Sequence, residues 1–189
     1  MVVLVIVGTL TTISLSMFSK TASRARRTGV DQFTAAVEQA RTSAITRRKP
    51  VVLAIAPPVA GTNDQKCRYG LFEIDELPDE GSDLEAVQVQ RWNLMPDGVI
   101  FLDGKVDGLR NVIDEDEIRI TWKDGENEAR IRALVFSPRG GLMWPAGSDP
   151  VALTIGTGTY IDGQPRSTSA GGHNSLRIGR VVARPWRLD

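Results

Sequence analysis

The first 18 residues of the chain carry no charged side chain, and this feature constrains the fold more than any other. The run MVVLVIVGTLTTISLSMF is followed by Lys20 and then by Arg24, Arg26 and Arg27. About 20 apolar residues suffice for a helix to cross the hydrocarbon core of a bilayer. The hydroxyl groups of the run are tolerable in such a helix, because they can bond back to carbonyls of the preceding turn. The pattern predicts an apolar helix that ends at a basic rim.

This helix requires burial in a membrane or in the core of a protein assembly. The residues that would form the buried surface are Val2, Val3, Leu4, Val5, Ile6, Val7, Gly8, Leu10, Ile13, Leu15 and Phe18. A cleaved signal peptide is the alternative, and it needs basic residues before the apolar run and a small-residue cleavage site after it. Neither pattern is present in the sequence, so an anchoring helix is the favoured interpretation.

The helical pattern continues beyond the basic rim. Apolar side chains recur at spacings of 3, 4, 3 and 4 residues, which places them on one helical face for packing against a sheet: Val30, Phe33, Val37, Ala40 and Ala44. Charged residues are predicted on the opposite face: Asp31, Glu38, Arg41, Arg47 and Arg48. Pro50 should end the helix, since proline disfavours helical geometry in the residue before it.

A continuous helix of about 45 residues would be close to 68 Å long, far more than a small domain can cover. Its first half must therefore find burial outside the globular part. The alternative is a membrane anchor followed by a separate helix of the domain, with a break near Gly29. Either way, the predicted division is residues 1–27 as the apolar helix with its basic rim, and residues 28–189 as a globular head.

Short β-strands are predicted after Pro50. They cover residues 51–56, 69–74, 86–94, 99–102, 117–123, 129–136, 151–155 and 176–183, with turn signals such as Pro96-Asp97-Gly98 between them. The segment 162–175 has few apolar residues and is predicted to be a mobile loop. One long helix followed by regular short strands indicates an α+β fold, with a mainly antiparallel sheet packed on the amphipathic half of the helix.

Five segments of the chain carry a family resemblance. They are VVLVIVGTL (2–10), AVEQARTSAITRRKPVVLAI (36–55), RWNLMPDGVIF (91–101), LVFSPRGGL (134–142) and SLRIGRVVA (175–183). The first resembles the interior of the type IV prepilin N-terminal helix, and the other four, in this order, resemble segments of pseudopilin H and FimT proteins. The chain also resembles the pilin-like proteins called Verru_Chthon cassette protein D.

The resemblance implies a pilin-like fold and a structural role. The expected function is a minor pilin or pseudopilin subunit of a type IV pilus or of a type II secretion-like filament. The expected partners are other pilin or pseudopilin subunits and the membrane. The expected location is the inner membrane, with a single-pass helix and an exported, periplasmic head, and/or an extracellular or periplasmic filament. Prepilins carry a basic leader, a cleavage-site glycine and an acidic fifth mature residue just before the apolar run. Either these features lie upstream of Met1, which is the favoured expectation, or this copy cannot be processed.

The residue types required for most enzymatic sites are scarce. Cys67 and His173 are the only cysteine and histidine, so a zinc site would need several carboxylates. The glycines at 156 and 158 begin like a dinucleotide loop, but Ile161 stands where the third glycine should fall. The acidic run 114–117 lacks the spacing of a calcium-binding loop and is expected to be a solvated turn. We therefore expect that the protein is not an enzyme and that it binds no cofactor, metal ion or small-molecule substrate.

The charge distribution leaves two function classes open beside a structural subunit. Overall charge is balanced, but residues 1–72 carry ten basic and three acidic side chains, whereas residues 73–128 carry five and seventeen. A DNA-binding pilin of the competence type is one alternative, and its contact residues would be Arg177, Arg180, Arg184 and Arg187, with Arg166 nearby. A solvated edge strand explains the same arginines without DNA. The other alternative is a single-pass membrane protein unrelated to pili.

The anchor prediction is tested by dividing the chain. A chain starting near Thr28 should be soluble, monomeric and cooperatively folded, because the head has its own core, whereas the full chain should partition with membranes or detergent. Sedimentation with liposomes and thermal unfolding measure the two properties. Recovery of the full chain as a soluble monomer without detergent would contradict the prediction.

Overall fold

The computed structural model describes residues 2–58, 66–75, 83–122, 127–168 and 172–188. For residues 2–20 and 83 it describes the backbone alone. One helix, α1 (Val2–Arg47), precedes twelve strands. The part of α1 whose side chains are described, residues 21–47, spans about 27 residues and contains the described side chains that pack on the head.

Two features of α1 have a clear physical cause: its end at Arg47 and its close approach to the head at Gly29. The helix ends at Arg47, and Arg48 takes a left-handed conformation with φ of 56° shortly before Pro50. Such a residue commonly follows the last helical turn. The helix continues through Gly29 without the break considered there. A Cβ at this position would lie 2.9 Å from Cγ1 of Val99. Gly29 therefore serves close packing between helix and head.

Five strands form a closed ring. They are β1 (Val51–Ala56), β2 (Arg68–Ile74), β3 (Asp83–Leu94), β6 (Ile118–Trp122) and β7 (Asn127–Phe136). Each pairs with the next along the order β1, β2, β3, β6 and β7, and β7 pairs back to β1. Strand β8 (Leu142–Trp144) extends the ring from β7. The expectation of a plain sheet is therefore wrong, since this sheet closes into a barrel.

The remaining strands form a second sheet around β9 (Val151–Ile161). Strand β4 (Val99–Leu102) and β11 (His173–Ile178) pair antiparallel with β9, and β12 (Pro185–Leu188) pairs with β11. The short β5 (Arg110–Asn111) pairs parallel with β9, and a 3-10 turn, Val112–Asp114, follows it. Among the described pairings, β5 with β9 and β3 with β6 are parallel and the others antiparallel, so the α+β class with mainly antiparallel pairing is confirmed.

Two apolar cores result from the closure of the barrel. In β1 the side chains of Val51, Leu53 and Ile55 face the first core, between helix, barrel and second sheet. Val52 and Ala54 face the second core inside the barrel, as the two-residue period of a strand requires. All five are fully buried, which explains why β1 reads as a continuous apolar run.

The segment predicted as a loop, 162–175, contains regular structure. Strand β10 (Gln164–Ser167) pairs antiparallel with β9 through a turn in which Asp162 and Gly163 have positive φ, 52° and 76°. This is the conformation that an Asp-Gly pair favours in tight hairpins. Backbone pairing, not apolar content, forms β10. Residues 169–171 lie outside the described part of the chain, and β11 begins at His173.

The C-terminal strand expected at 176–183 is also different. Strand β11 ends at Ile178, and the chain turns at 179–184 into β12. A Cβ at Gly179 would lie 3.1 Å from both the Trp186 ring and the Val182 carbonyl oxygen, so glycine permits the tight approach. The turn places a further edge strand beside the sheet.

The Phe33 side chain should account for a large part of the stability of the head. It is fully buried, and truncation of a buried phenylalanine costs about 3–5 kcal/mol out of the roughly 5–15 kcal/mol of a typical domain. We expect Phe33→Ala to lower the melting temperature by many degrees in thermal unfolding. Gln39→Ala, at an exposed position of the same helix, is the control and should leave it almost unchanged. Equally small effects would contradict the packing described here.

Candidate functional site

The helix lies on the head through the apolar face predicted for it. Val30, Phe33, Val37, Ala40 and Ala44 all belong to the first core, and each is at most 1% exposed. Arg41, expected on the solvated face, is instead half-buried, since its position adjoins Val37 and Ala44 and its Nε lies near Gly140. The buried surface of the helix is therefore wider than one apolar stripe.

Phe33 contacts both sheets. Its ring makes edge-on contacts with Tyr69 of the barrel, at 5.8 Å between centroids, and with Phe101 of the second sheet, at 5.5 Å. The Tyr160 hydroxyl donates a 2.9 Å hydrogen bond to the Phe101 carbonyl, and burial raises the pKa of Tyr160 far above its ordinary value. Aromatic pairs in this geometry add about 0.5–1.5 kcal/mol beyond the area they bury. Helix, barrel and second sheet thus meet at one side chain.

The C-terminal edge strand β12 runs along the helix. Arg187 pairs with Asp31, and Arg184 lies 3.9 Å from Glu38. The three residue steps from Arg184 to Arg187 span about 10 Å of extended chain, and the seven steps from Asp31 to Glu38 span about 10.5 Å of helix. The two ion pairs therefore have the same spacing when the extended segment and the helix run antiparallel. In addition, Arg26 Nε donates a 3.0 Å hydrogen bond to Asn174 Oδ1 at the start of β11. These contacts fix the second sheet along the helix.

A second group of charges surrounds the end of the helix. Arg47 lies 3.1 Å from Glu73, and Lys49 lies 3.3 Å from Glu73 and 2.8 Å from Asp75. The hydrogen bond to Asp75, followed by the one to Glu73, raises the pKa of Lys49. Because the cationic side chains are about half exposed, these pairs orient the helix end on the barrel more than they stabilise the fold.

The four arginines considered for DNA contact have different surroundings. Arg187 and Arg184 pair with helix carboxylates, as described above. Arg180 donates through Nε to the Asp149 carbonyl at 2.6 Å and through a second nitrogen to the Pro145 carbonyl, so it holds the loop before β9. Burial and the neighbouring Arg110 lower the pKa of Arg180. Arg177 is exposed on the outer side of β11, and Arg166 is exposed on β10.

The acidic run 114–117 is tied to its surroundings at three of its four positions. Asp114 accepts hydrogen bonds of 3.0 and 3.2 Å from the Gly104 amide, Glu115 lies 3.2 Å from Arg110, and Glu117 lies 2.9 Å from Arg132. Asp116 is exposed. Within the described part of the chain, no group of three or more His, Cys, Asp or Glu side chains is placed to hold a metal ion.

The anchor residues predicted between Val2 and Phe18 lie outside the described side chains. In the part of α1 with described side chains, no stretch is both long and apolar enough to span a bilayer.

The fold and the interface agree with a family match. The model of the family described as type II transport protein GspH matches residues 29–176, well over half of the 189-residue chain. The chain belongs to the GspH family. Comparisons with curated proteins and with solved structures give no significant match.

The GspH match confirms the pilin-like, pseudopilin H identity indicated by the sequence motifs. It begins at Gly29, where the helix first packs tightly on Val99, and it ends inside β11. The matched region therefore comprises the amphipathic half of the helix, the barrel and most of the second sheet. GspH pseudopilins are structural components of type II secretion and associate with other pseudopilins. Most of the helix-to-head interface lies within the matched region.

The ion pair between Arg187 and Asp31 should control the local order of β12. Both side chains are about half exposed or more, so Arg187→Ala should change the free energy of unfolding by less than about 1 kcal/mol. Hydrogen exchange of the β12 amides should nevertheless become faster, because the strand loses a tie to the helix. Arg177→Ala, on the outer face of the neighbouring strand, is the control. Unchanged exchange in β12 would refute this role of the pair.

Proposed function

We propose that this chain is a structural minor pseudopilin of a type II secretion-like filament. In this role the N-terminal half of α1 is the anchor, first in the inner membrane as a single-pass helix with the head in the periplasm and then in the filament core. The amphipathic half carries the head outward. The partners are other pseudopilin subunits, and the chain performs no catalysis and uses no cofactor.

The length of the helix relative to its contacts carries this proposal. Apolar contacts with the head run from Ala25 to Ala44 among the described side chains, which is about 30 Å of helix. The helix itself begins at Val2, so roughly 35 Å of helix precedes these contacts. The hydrocarbon core of a bilayer is about 30 Å thick. A helix of these proportions supports a role in which one half belongs to the head and the other to a membrane or a subunit core.

Charge complementarity between subunits is the finer part of the proposal. Arg24 and Arg27 are exposed at the rim between the two halves of the helix, whereas Arg26 is engaged by Asn174. Asp116 is exposed, as are Asp114 and Glu117, but those two are engaged by the Gly104 amide and by Arg132. In a filament the helix of one subunit passes beside the heads of its neighbours, so opposite charges would guide register and speed encounter. The competing explanation is that both sets are solvated, contributing about 0–1 kcal/mol per pair.

The alternatives receive less support. DNA binding by Arg177, Arg180, Arg184 and Arg187 would require breaking contacts at three of the four, two with helix carboxylates and one with loop carbonyls. A subunit of a type IV pilus would share the same helix and head, and the family match favours type II secretion over it. Family membership likewise favours the pseudopilin over an unrelated single-pass protein.

The assembly test reverses the exposed rim charges. We expect the double variant Arg24→Glu, Arg27→Glu to lose co-purification with a second, differently tagged copy of the chain at low salt, because repulsion replaces attraction at the head of a neighbour. Adding Asp116→Arg should restore part of the loss. The measurement is pull-down across a salt series. Arg139→Glu, at an exposed turn position, is the matched control. Unchanged recovery of the double variant at low salt would disprove the charge mechanism and leave the anchor proposal standing.

A further inference from the structure

The barrel opens at one end into a cavity of about 360 Å³. Trp92 of β3 and Trp122 of β6 form two of its walls, and the small side chains Ala56 and Ala129 leave the space between strands unfilled. Mouths of β-barrels are recurrent ligand sites, and typical ligand pockets range from about 300 to 1,000 Å³. The cavity lies at the lower end of that range, which suits a single side chain.

The strand register explains why the cavity is there. Ile118 and Ile120 alternate into the barrel, and Trp122 continues the same face toward the mouth. The residue paired with Ile120 on the neighbouring strand β7 is Ala129, whose small side chain leaves part of the barrel interior unfilled. Within the described part of the chain, the second core fills one end of the barrel interior and the other end is open. The open part is lined by the aromatic walls.

The two tryptophans are held in position before any ligand arrives. Their centroids lie 6.4 Å apart, with the rings inclined at 64°. Each packs edge-on against the fully buried Phe72, at 5.5 Å for Trp92 and 5.4 Å for Trp122. Both remain partly exposed on the side of the cavity. A pre-formed aromatic surface of this kind can bind a flat apolar group with little loss of side-chain conformational entropy.

Among the described residues, basic side chains outnumber acidic ones at the rim of the cavity. Arg68 and Arg130 line it together with Glu117, and Glu117 is paired with Arg132 at 2.9 Å. Arg130 also lies directly opposite Arg119 in the strand register, an arrangement of like charges that is unfavourable across a strand pair. Arg119 has Glu128 at 3.2 Å, and Arg130 is exposed. A carboxylate placed beside Arg130 would relieve this repulsion.

We propose that the mouth of the barrel is a binding site for one aromatic residue that carries or adjoins a carboxylate. The aromatic ring lies against Trp92 and Trp122, and the carboxylate lies at the rim by Arg130. A polypeptide chain that ends in an aromatic residue supplies both groups, and so does a free aromatic acid. The site is separate from the helix-to-head interface, so it does not depend on the filament role proposed above.

Fluorine NMR of 5-fluorotryptophan-labelled full-length protein in lipid nanodiscs tests the site. The probes are acetyl-Gly-Gly-Phe with a free terminal carboxylate, the same peptide with a terminal amide, and acetyl-Phe. We expect the acid peptide to shift the Trp92 and Trp122 resonances and to leave Trp186 unchanged, since Trp186 lies on β12 in the other sheet. The amide should bind about fivefold more weakly, the equivalent of one exposed ion pair.

The arms of the experiment separate the outcomes. Tighter binding of the tripeptide than of acetyl-Phe assigns the site to chain termini, and equal binding assigns it to aromatic acids in general. Arg130→Glu should weaken the acid peptide about fivefold without affecting the amide, and Arg139→Glu should change neither. Ala129→Phe should abolish binding by filling the mouth. Equal affinity of acid and amide, or shifts at Trp186 as large as those at Trp92, would overturn the proposal.

Discussion

The packing of Phe33 between helix, barrel and second sheet is the interaction on which the rest of the structure depends. Its ring contacts Tyr69 and Phe101, one aromatic residue from each sheet, so three structural layers converge on a single buried side chain. The surrounding charges act more weakly and at the edges: Arg187 and Asp31 align β12, and Lys49 with Asp75 fixes the end of the helix. Apolar burial supplies the stability, and the ion pairs supply the register.

Local patterns were sufficient to predict much of the head. The prolines and glycines of the flanking turns and the β-prone, apolar composition of the two runs predicted β1 and β4 with the bounds that the structure has. The helical spacing from Val30 to Ala44 likewise identified residues that are buried together, because a period of 3.6 places them on one face. The family motifs after the first one span the ends of regular elements and the adjoining turns, so they are local features of the sequence.

The closure of the barrel could not be predicted, because it depends on pairing between distant strands. In β1 both faces are buried, and a continuous apolar run is equally compatible with a plain sheet. Strand β10 was missed because its side chains are polar, although the Asp162-Gly163 pair indicates a hairpin. The cavity at the barrel mouth likewise depends on the pairing of Ala129 on β7 with Ile120 on the neighbouring strand β6.

The central claim is that one half of the helix belongs to the head and the other half to a lipid or subunit environment. Single cysteines along the helix, alkylated by a membrane-impermeant maleimide in lipid nanodiscs, test it most directly; the native Cys67 is fully buried. The account predicts protection at Val5 and Leu10 only in lipid, fast reaction at Arg24, and protection at Ala40 by the folded head in any medium. Reaction at Val5 and Leu10 in lipid as fast as at Arg24 would contradict it.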